Sequence, residues 1–373
     1  MFLSSTEGAQ AVETVQPASS YFYPLTVRGV RAETRDSMVL TFDVPEELEE
    51  KFRFVQGQFV TLRAIIDGHD VRRSYSICSA VQDRVLRVGI KRAPGGLFSN
   101  WIAENVKAGS QVEVMPPEGR FHVALSAGHS KSYVAFAAGS GITPILSLIK
   151  TTLLSEPHSE FTLFYGNRAS STIMFREELA ELKDVFLDRF VLVHVMSREH
   201  QDLELLNGRI TGGKAEQLLR HFCRFEEIDH IFLCGPDGMA EDIFGRLQAL
   251  GVPEARIKIE RFSATPSGPQ RVSPTHAEKQ CRLTIVVDGV RHVLNLQRNG
   301  ETVLDAALQR GLDLRHSCKS GVCATCRAKV VEGQVDMDAN YALEDYEIAR
   351  GFVLTCQSYP VSDRVTVDFD QDS

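Results

Sequence analysis

The stretch Cys318-Lys319-Ser320-Gly321-Val322-Cys323-Ala324-Thr325-Cys326 places three cysteines in a C-x4-C-x2-C pattern, and a lone fourth, Cys356, follows residues 327–355. This is the spacing of plant-type [2Fe–2S] proteins, in which four thiolates hold two irons. A zinc site is the alternative, but it more often pairs two C-x2-C units. The pattern therefore predicts a [2Fe–2S] cluster held by Cys318, Cys323, Cys326 and Cys356. Gly321 suits the loop because backbone amides must approach the cluster closely.

Length and composition indicate a soluble protein of several domains. The chain has 373 residues, 43% of them hydrophobic and 24% charged, and carries a net charge of −8, so two or three globular domains are expected. The negative charge argues against nucleic acid or an anionic membrane as a partner, and no apolar run is long enough to span a membrane. Residues 1–20 lack a signal-peptide pattern and are expected to be disordered. The protein is therefore expected to be cytoplasmic and free of disulfides.

The hydrophobic pattern predicts a multidomain chain. In residues 21–128, short alternating strands between Gly, Pro and Asp turns predict an antiparallel β-barrel. In residues 129–262, strands alternate with helices, which predicts an α/β domain with a parallel sheet. Residues 263–280 are rich in proline and polar residues and read as a linker. Residues 281–373 open with a hairpin signal at Asp288-Gly289 and are expected to form an α+β, β-grasp-like domain around the cysteines.

Two motifs of the first domain suit a flat, phosphorylated ligand. Arg73-Ser74-Tyr75-Ser76 ends a barrel strand, and it pairs a guanidinium for a diphosphate with an aromatic face for a planar ring. Gly95-Gly96-Leu97-Phe98-Ser99 opens a short helix predicted over Leu97–Asn105, whose free amides and Ser99 hydroxyl can bind phosphate. Taken singly, the first motif could be a solvated strand and the second a plain turn with an N-cap.

Two further motifs lie in the second domain. Gly139-Ser140-Gly141-Ile142-Thr143-Pro144 joins its first strand to its first helix, where glycines let the backbone approach a pyrophosphate. Pro144 occupies the first helical position, where its missing N–H costs nothing. Cys234-Gly235-Pro236 follows the fourth strand at its carboxyl end, which carries the ligand crevice in such sheets. A buried core cysteine is the alternative there, and it is the preferred interpretation for Cys78, Cys223 and Cys281.

In this order the motifs resemble the R-x-Y-[ST], G-x-x-[ST], G-x-G-[IV]-[TA]-P and C-G-P signatures of the ferredoxin–NADP reductase superfamily. The resemblance implies that Arg73 neutralises the pyrophosphate of FAD, that Tyr75 packs on the flavin ring and that Ser76 lies near its N5. It also implies that Cys234 lies beside the nicotinamide. Glu260-Arg261-Phe262 is similar to the E-x-F ending of many relatives, in which the aromatic residue borders the flavin. Ser76, Cys234 and Glu260 are therefore the expected catalytic residues. FAD is preferred, although FMN relatives use similar motifs.

The choice of coenzyme depends on the loop after the third strand of the second domain. Ser197-Arg198 stands where NADP-linked relatives grip the 2′-phosphate, and Arg168 could add a second cation. Glu199 could instead serve a 2′-hydroxyl, as the carboxylate of an NAD-specific site does. An exposed charged loop without a binding role is a further alternative. NADPH is the predicted donor.

The domain order resembles that of oxygenase reductases with a C-terminal plant-type ferredoxin. Within that group, the sequence is most similar to the reductase subunit of ring-1,2-phenylacetyl-CoA epoxidase. The stretches that carry this similarity are residues 72–78, 137–144, 161–168 and 259–262. The resemblance implies electron transfer from NADPH through FAD and the [2Fe–2S] cluster to a multi-subunit, di-iron oxygenase in aromatic catabolism. The alternatives are the reductase of another ring- or steroid-hydroxylating oxygenase, a redox-sensing carrier protein, and a reductase of small acceptors.

Overall fold

The computed structural model describes residues 20–262 and 280–371. The predicted disordered N-terminus, residues 1–20, and the predicted linker, residues 263–280, lie outside these ranges except for Ser20 and Gln280. Each of the three predicted domains holds a main sheet of its own. The border predicted at residues 128/129 falls in a segment, residues 119–131, without helix or strand, and it stays a prediction. Within the described ranges, no helix combines the length and apolar character needed to cross a membrane.

The first domain is an antiparallel barrel. Its elements are β1 (Tyr23–Thr34), β2 (Ser37–Asp43), β3 (Phe59–Ile66), β4 (His69–Ser76), β5 (Leu86–Lys91), α1 (Leu97–Asn105) and β6 (Gln111–Glu118). The strands lie in the order β4-β3-β6-β1-β2-β5. The two edge strands meet where Ile77 bridges Val88, which closes the sheet and confirms the predicted barrel. Alternate aliphatic side chains point inward and pack with Phe98 and Ile102 of α1.

The second domain is a parallel sheet with helices on both faces, as predicted. Its elements are β7 (Ser132–Ala138), α2 (Ile142–Ser155), β8 (Glu160–Asn167), α3 (Arg176–Val185), β9 (Phe190–Met196), α4 (Gly212–Phe222), β10 (Ile228–Cys234), α5 (Asp237–Ala249) and β11 (Ile257–Glu260). All neighbouring strands pair in parallel in the order β11-β10-β7-β8-β9. Helices α2 and α3 cover one face, and α4 and α5 cover the other. The carboxyl ends of β7, β10 and β11 are therefore neighbours.

The third domain is a mixed sheet packed on a short helix. Its elements are β12 (Gln280–Val287), β13 (Val290–Gln297), α6 (Val303–Leu308), β14 (Arg327–Glu332), β15 (Val335–Met337), α7 (Asp345–Ala349), β16 (Phe352–Leu354), β17 (Ser358–Pro360) and β18 (Arg364–Asp368). The main sheet runs β13-β12-β18-β14-β16. The predicted hairpin is confirmed: Asp288 and Gly289 have φ of 51° and 73°, as a type I′ turn requires, and Val287 pairs with Val290.

Candidate functional site

The cysteine loop lies between α6 and β14 and is shaped by residues in the left-handed region. Lys319, Gly321 and Ala324 have φ of 53°, 78° and 55°. A Cβ on Gly321 would lie 2.9 Å from the carbonyl oxygen of Ala339. Gly321 is therefore needed both for its backbone angle and for the packing of the neighbouring segment against the loop.

The fourth cysteine is brought to this loop by the turn after β16. Thr355 donates from its amide (3.2 Å) and from its hydroxyl (2.8 Å) to the carbonyl oxygen of Cys326. Hydrogen bonds with Cys323 and Cys356 lower the pKa of the Cys318 thiol, and a hydrogen bond with Cys356 lowers the pKa of Cys326. All four thiols thus face one another, and the amide of Ser320 also donates to Cys318 Sγ at 3.3 Å.

The four thiols supply the donor set that a two-iron cluster needs. Four thiolates spread over two irons are the ligand set of a [2Fe–2S] cluster. The remaining cysteines lie elsewhere. Cys78 and Cys281 are buried in hydrophobic cores and Cys223 is half-buried, and burial raises the pKa of each thiol.

Strand β4 presents its predicted motif on two faces. Arg73 is exposed and its guanidinium donates to the carbonyl oxygen of Arg72 at 2.7 Å; no ion pair involves it in the part of the chain that the structure describes. Tyr75 packs on Phe98, with ring centroids 6.1 Å apart, and burial raises the pKa of its phenol. Ser74 points to the other face, where its hydroxyl lies 2.7 Å from the hydroxyl of Ser317 in the cysteine domain.

The glycine-rich turn before α1 leaves the start of that helix open. Gly95 has φ of 69°, and Gly96 occupies the N-cap without any side chain bonding to the first helical amides. Ser99 accepts a hydrogen bond from the amide of Ala93 at 3.1 Å, which folds the turn onto the helix. Leu97 is half-exposed, so it offers its backbone rather than a packed side chain. Free amides next to β4 fit a phosphate group.

The turn after β7 is tightly packed against the end of β10. A Cβ on Gly141 would lie 2.0 Å from the carbonyl oxygen of Cys234, so no other residue fits there. Gly139 has φ of 55°, and its carbonyl oxygen accepts a hydrogen bond from the Tyr165 hydroxyl at 2.9 Å. Thr143 is buried and donates to the carbonyl oxygen of Ser140 at 3.0 Å. Pro144 is the third residue of α2 and not the first, which was the prediction, because the helix already begins at Ile142; Pro144 still lies in the first turn, where its missing N–H has no helical partner to lose.

Cys234 and Glu260 are side by side at the carboxyl edge of the sheet, because they are register partners in β10 and β11. Burial raises the pKa of the Cys234 thiol and raises that of the Glu260 carboxyl from 4.5 to about 8. Glu260 is therefore mostly neutral at pH 7. Gly235 packs closely on Ala138, and Pro236 caps α5. Phe262 is exposed at the end of this segment.

The barrel contributes to this edge with residues that the sequence patterns did not single out. A Cβ on Gly89 in β5 would lie 2.6 Å from Thr143 Cγ2, so the barrel contacts the turn after β7 directly. Lys91 Nζ lies 3.8 Å from the position of a Cβ on Gly139. Ser76 is buried and precedes Ile77, which bridges Val88 beside Gly89. The basic pair at the end of β5 was the only sequence signal for Lys91.

The loops after β8 and β9 run together at the far end of the sheet. The amide of Ser197 donates to Asn167, and that of Arg198 donates to Arg168, each at 2.9 Å. Both arginines are exposed, and neither has an ion pair among the described residues. Glu199 accepts hydrogen bonds from the amide (2.8 Å) and the hydroxyl (2.5 Å) of Ser170, which lower the pKa of its carboxyl. Its oxygens are thereby engaged within the protein.

Comparisons with known proteins find a different family model within each of the three domains. Three family models match: the oxidoreductase FAD-binding domain over residues 24–123, the oxidoreductase NAD-binding domain over 136–244, and the 2Fe-2S iron-sulfur cluster binding domain over 285–361. The last range contains all four cysteines of the loop and turn.

Full-length relatives are also found. The chain is 44% identical over 349 residues to one of the subunits of the 1,2-phenylacetyl-CoA epoxidase of Escherichia coli strain K12, covering 94% of this chain and 98% of that protein. It is 34% identical to the ferredoxin reductase component of the 3-ketosteroid-9-alpha-monooxygenase of Rhodococcus rhodochrous, covering 95% and 98%. Among solved structures, phthalate dioxygenase reductase has the same fold, with a TM-score of 0.57 at 21% identity over 93% of this chain and 98% of that one.

Proposed function

The chain belongs to the family of oxygenase reductases that combine an FAD-binding, an NAD-binding and a [2Fe–2S] domain, and from that membership we propose that it carries electrons from NADPH through FAD and a [2Fe–2S] cluster to the oxygenase of a phenylacetyl-CoA epoxidase. The observation that carries the proposal is the contact between Ser74, in the flavin motif, and Ser317, beside the cluster ligand Cys318. It makes the two redox sites neighbours within one molecule.

The barrel residues have distinct roles in holding FAD. Arg73, exposed and without an acidic partner among the described residues, supplies the cation for the pyrophosphate, together with the open amides from Gly95 to Ser99. Tyr75 offers its ring, and Ser76 places a hydroxyl where β4 ends. FAD supplies the conversion between a two-electron donor and a one-electron acceptor when it is bound.

The second domain holds the nicotinamide coenzyme. The turn from Gly139 to Pro144 approaches the pyrophosphate with its backbone, and Lys91 adds a cation from the barrel. Cys234 and the neutral carboxyl of Glu260 border the reacting end, where their contribution is to position the ring. Gly235 and Pro236 hold this edge close to the start of α5, and Phe262 is available as an aromatic border for the flavin.

NADPH is proposed over NADH because of the charges at the adenosine end. Arg168 and Arg198 are unpaired cations within the described residues, and Ser197 supplies a hydroxyl. A 2′-phosphate is well matched by guanidinium groups. Glu199, the residue that could instead serve a 2′-hydroxyl, is engaged with Ser170.

Cys318, Cys323, Cys326 and Cys356 are proposed as the cluster ligands. None of the eight cysteines, all of which lie in the described residues, forms a disulfide, which supports a reducing, cytoplasmic setting. The 44% identity to a subunit of a phenylacetyl-CoA epoxidase favours the oxygenase of such an epoxidase as the partner, and the family resemblance of the sequence implies that this oxygenase is multi-subunit and di-iron. The ketosteroid monooxygenase reductase, at 34% identity, marks the alternative class of partner.

The test is spectroscopic and then enzymatic. The purified protein should show flavin bands over broad cluster absorption, and NADPH should bleach both. It should then support turnover when mixed with the oxygenase subunits of a phenylacetyl-CoA epoxidase, and not with those of a 3-ketosteroid monooxygenase. Absence of flavin or cluster absorption would refute the electron path, whereas turnover only with the steroid oxygenase would refute the assigned partner.

A further inference from the structure

Among the described residues, two groups of polar barrel residues on β4 and near the end of β6 contact the cysteine domain, and the first group lies on β4. The side chain of Arg72 is 4% exposed. Its guanidinium donates to the carbonyl oxygen of Leu314 at 3.2 Å and contacts His316 Nδ1 at 3.0 Å. Next to it, the hydroxyls of Ser74 and Ser317 meet at 2.7 Å. The barrel therefore binds, through side chains of β4, the segment that leads into the cysteine loop.

The second group lies at the end of β6. Glu118 forms an ion pair with Arg315 and accepts a hydrogen bond from the hydroxyl of Thr325 at 2.8 Å. Thr325 lies between two of the loop cysteines, so this contact reaches the loop itself. Two residues further along, the guanidinium of Arg120 donates to Glu347 Oε1 at 2.8 Å and also contacts its Oε2.

Glu347 is the most deeply buried member of these groups. Its side chain has no exposed surface and accepts hydrogen bonds from Arg120 of the barrel and from Arg327 of its own domain. These partners hold the pKa of the carboxyl near 2 despite its burial. A buried carboxylate needs its cations, because an uncompensated charge in the interior is costly. Separation of the two domains would take Arg120 away from Glu347, so that of these two arginines Arg327 alone would still pair with the carboxylate.

The space between the domains is open and charged. A cavity of about 930 Å³ lies among the three domains and is lined on one side by Cys323 and Thr325, and on another by Lys258 and Glu260. Glu118, Arg120, Arg315 and Thr325 also line this cavity, so the polar pairs between the barrel and the cysteine domain lie at its wall. Such a contact orients two domains without joining them permanently.

We propose that Arg120 and Glu118 are positioning residues for the flavin-to-cluster step: with Glu347 and Arg315 they form a charge latch that docks the cysteine domain on the barrel in the orientation for electron transfer. The proposal rests on the proposed function. In each transfer the reduced flavin loses one electron and the oxidised cluster gains it. The latch acts by holding the two cofactors close together in that orientation, because electron transfer between two cofactors slows steeply as they separate.

The test is single-turnover kinetics of the holoenzyme under anaerobic conditions, with NADPH as the donor. In Arg120→Ala, cluster reduction should slow about tenfold, equivalent to about 1.4 kcal/mol, while flavin reduction keeps its wild-type rate. Arg120→Lys should recover part of the loss. The control is Arg53→Ala, which removes a barrel arginine that is 72% exposed and paired only with Glu50 among the described residues.

A second measurement separates a docking role from a general structural one. Small-angle X-ray scattering should give a larger radius of gyration for Arg120→Ala than for Arg53→Ala, and raising the salt concentration should expand the wild type. Equal cluster-reduction rates in Arg120→Ala and Arg53→Ala would overturn the latch. Failure of NADPH to reduce the flavin of the wild type would instead overturn the proposed function.

Discussion

Glu260 has a half-buried side chain beside Cys234, and replacing it by glutamine tests quantitatively how burial acts on its carboxyl. Burial raises the pKa of Glu260 from 4.5 to about 8. Each pKa unit corresponds to about 1.36 kcal/mol, so the ionised carboxylate destabilises the folded protein by at most about 5 kcal/mol. This is an upper bound, because the side chain is half-buried and water that reaches the carboxylate weakens the effect.

The sign follows from proton binding. Because the folded pKa is raised, the unfolded chain releases this proton first as the pH rises, and stability falls between pH 4.5 and about 8. Glu260→Gln mimics the neutral form and escapes this loss. It should leave the stability unchanged near pH 4, raise it by up to about 3 kcal/mol at pH 7, and raise it by up to about 5 kcal/mol above pH 8.

The assay is native-state hydrogen exchange of the amides in β10 and β11 across this pH range, because it reports on the dinucleotide domain alone. The matched control is Glu254→Gln, which changes an exposed carboxyl in the turn before β11. A stability difference between wild type and Glu260→Gln that is the same at pH 5 and pH 9 would refute the reasoning. So would a variant that is less stable than wild type at pH 9.

Three further predictions concern the cluster, the coenzyme and the turn after β7. Cys323→Ser should abolish cytochrome c reduction and spare ferricyanide reduction by NADPH; joint loss of both in a folded protein would contradict the serial path. Arg198→Ala should raise the KM for NADPH about tenfold or more and that for NADH little, since it would remove the proposed guanidinium partner of the 2′-phosphate; equal increases in both KM values would contradict that role. Gly141→Ala should weaken NADPH binding and lower the melting temperature, because its Cβ would overlap the carbonyl oxygen of Cys234; calorimetry that shows unchanged binding and stability would contradict this packing.

Local sequence patterns were sufficient to predict most of the fold. The turn at Asp288-Gly289 is decided by residues that tolerate positive φ, and the helix from Leu97 to Asn105 begins and ends at the predicted residues. The cysteine spacing predicted a [2Fe–2S] site because three of the four proposed ligands lie in one short loop. Such features depend on neighbours in the chain, so the sequence alone was enough to predict them.

Contacts between distant residues were decided only by the tertiary structure. Cys234 and Glu260 become neighbours through the register of two parallel strands. Ser74 and Ser317, which are 243 residues apart in the sequence, share a hydrogen bond, and Arg120 and Glu347, which are 227 residues apart, form an ion pair. Nothing in the pattern around Glu347 distinguishes it from an exposed helix carboxylate, because its partner Arg120 comes from a second domain. The sequence thus determined which redox domains this protein has. The packing of those domains decided that β4, which carries the proposed flavin motif, lies against the segment that leads into the cysteine loop.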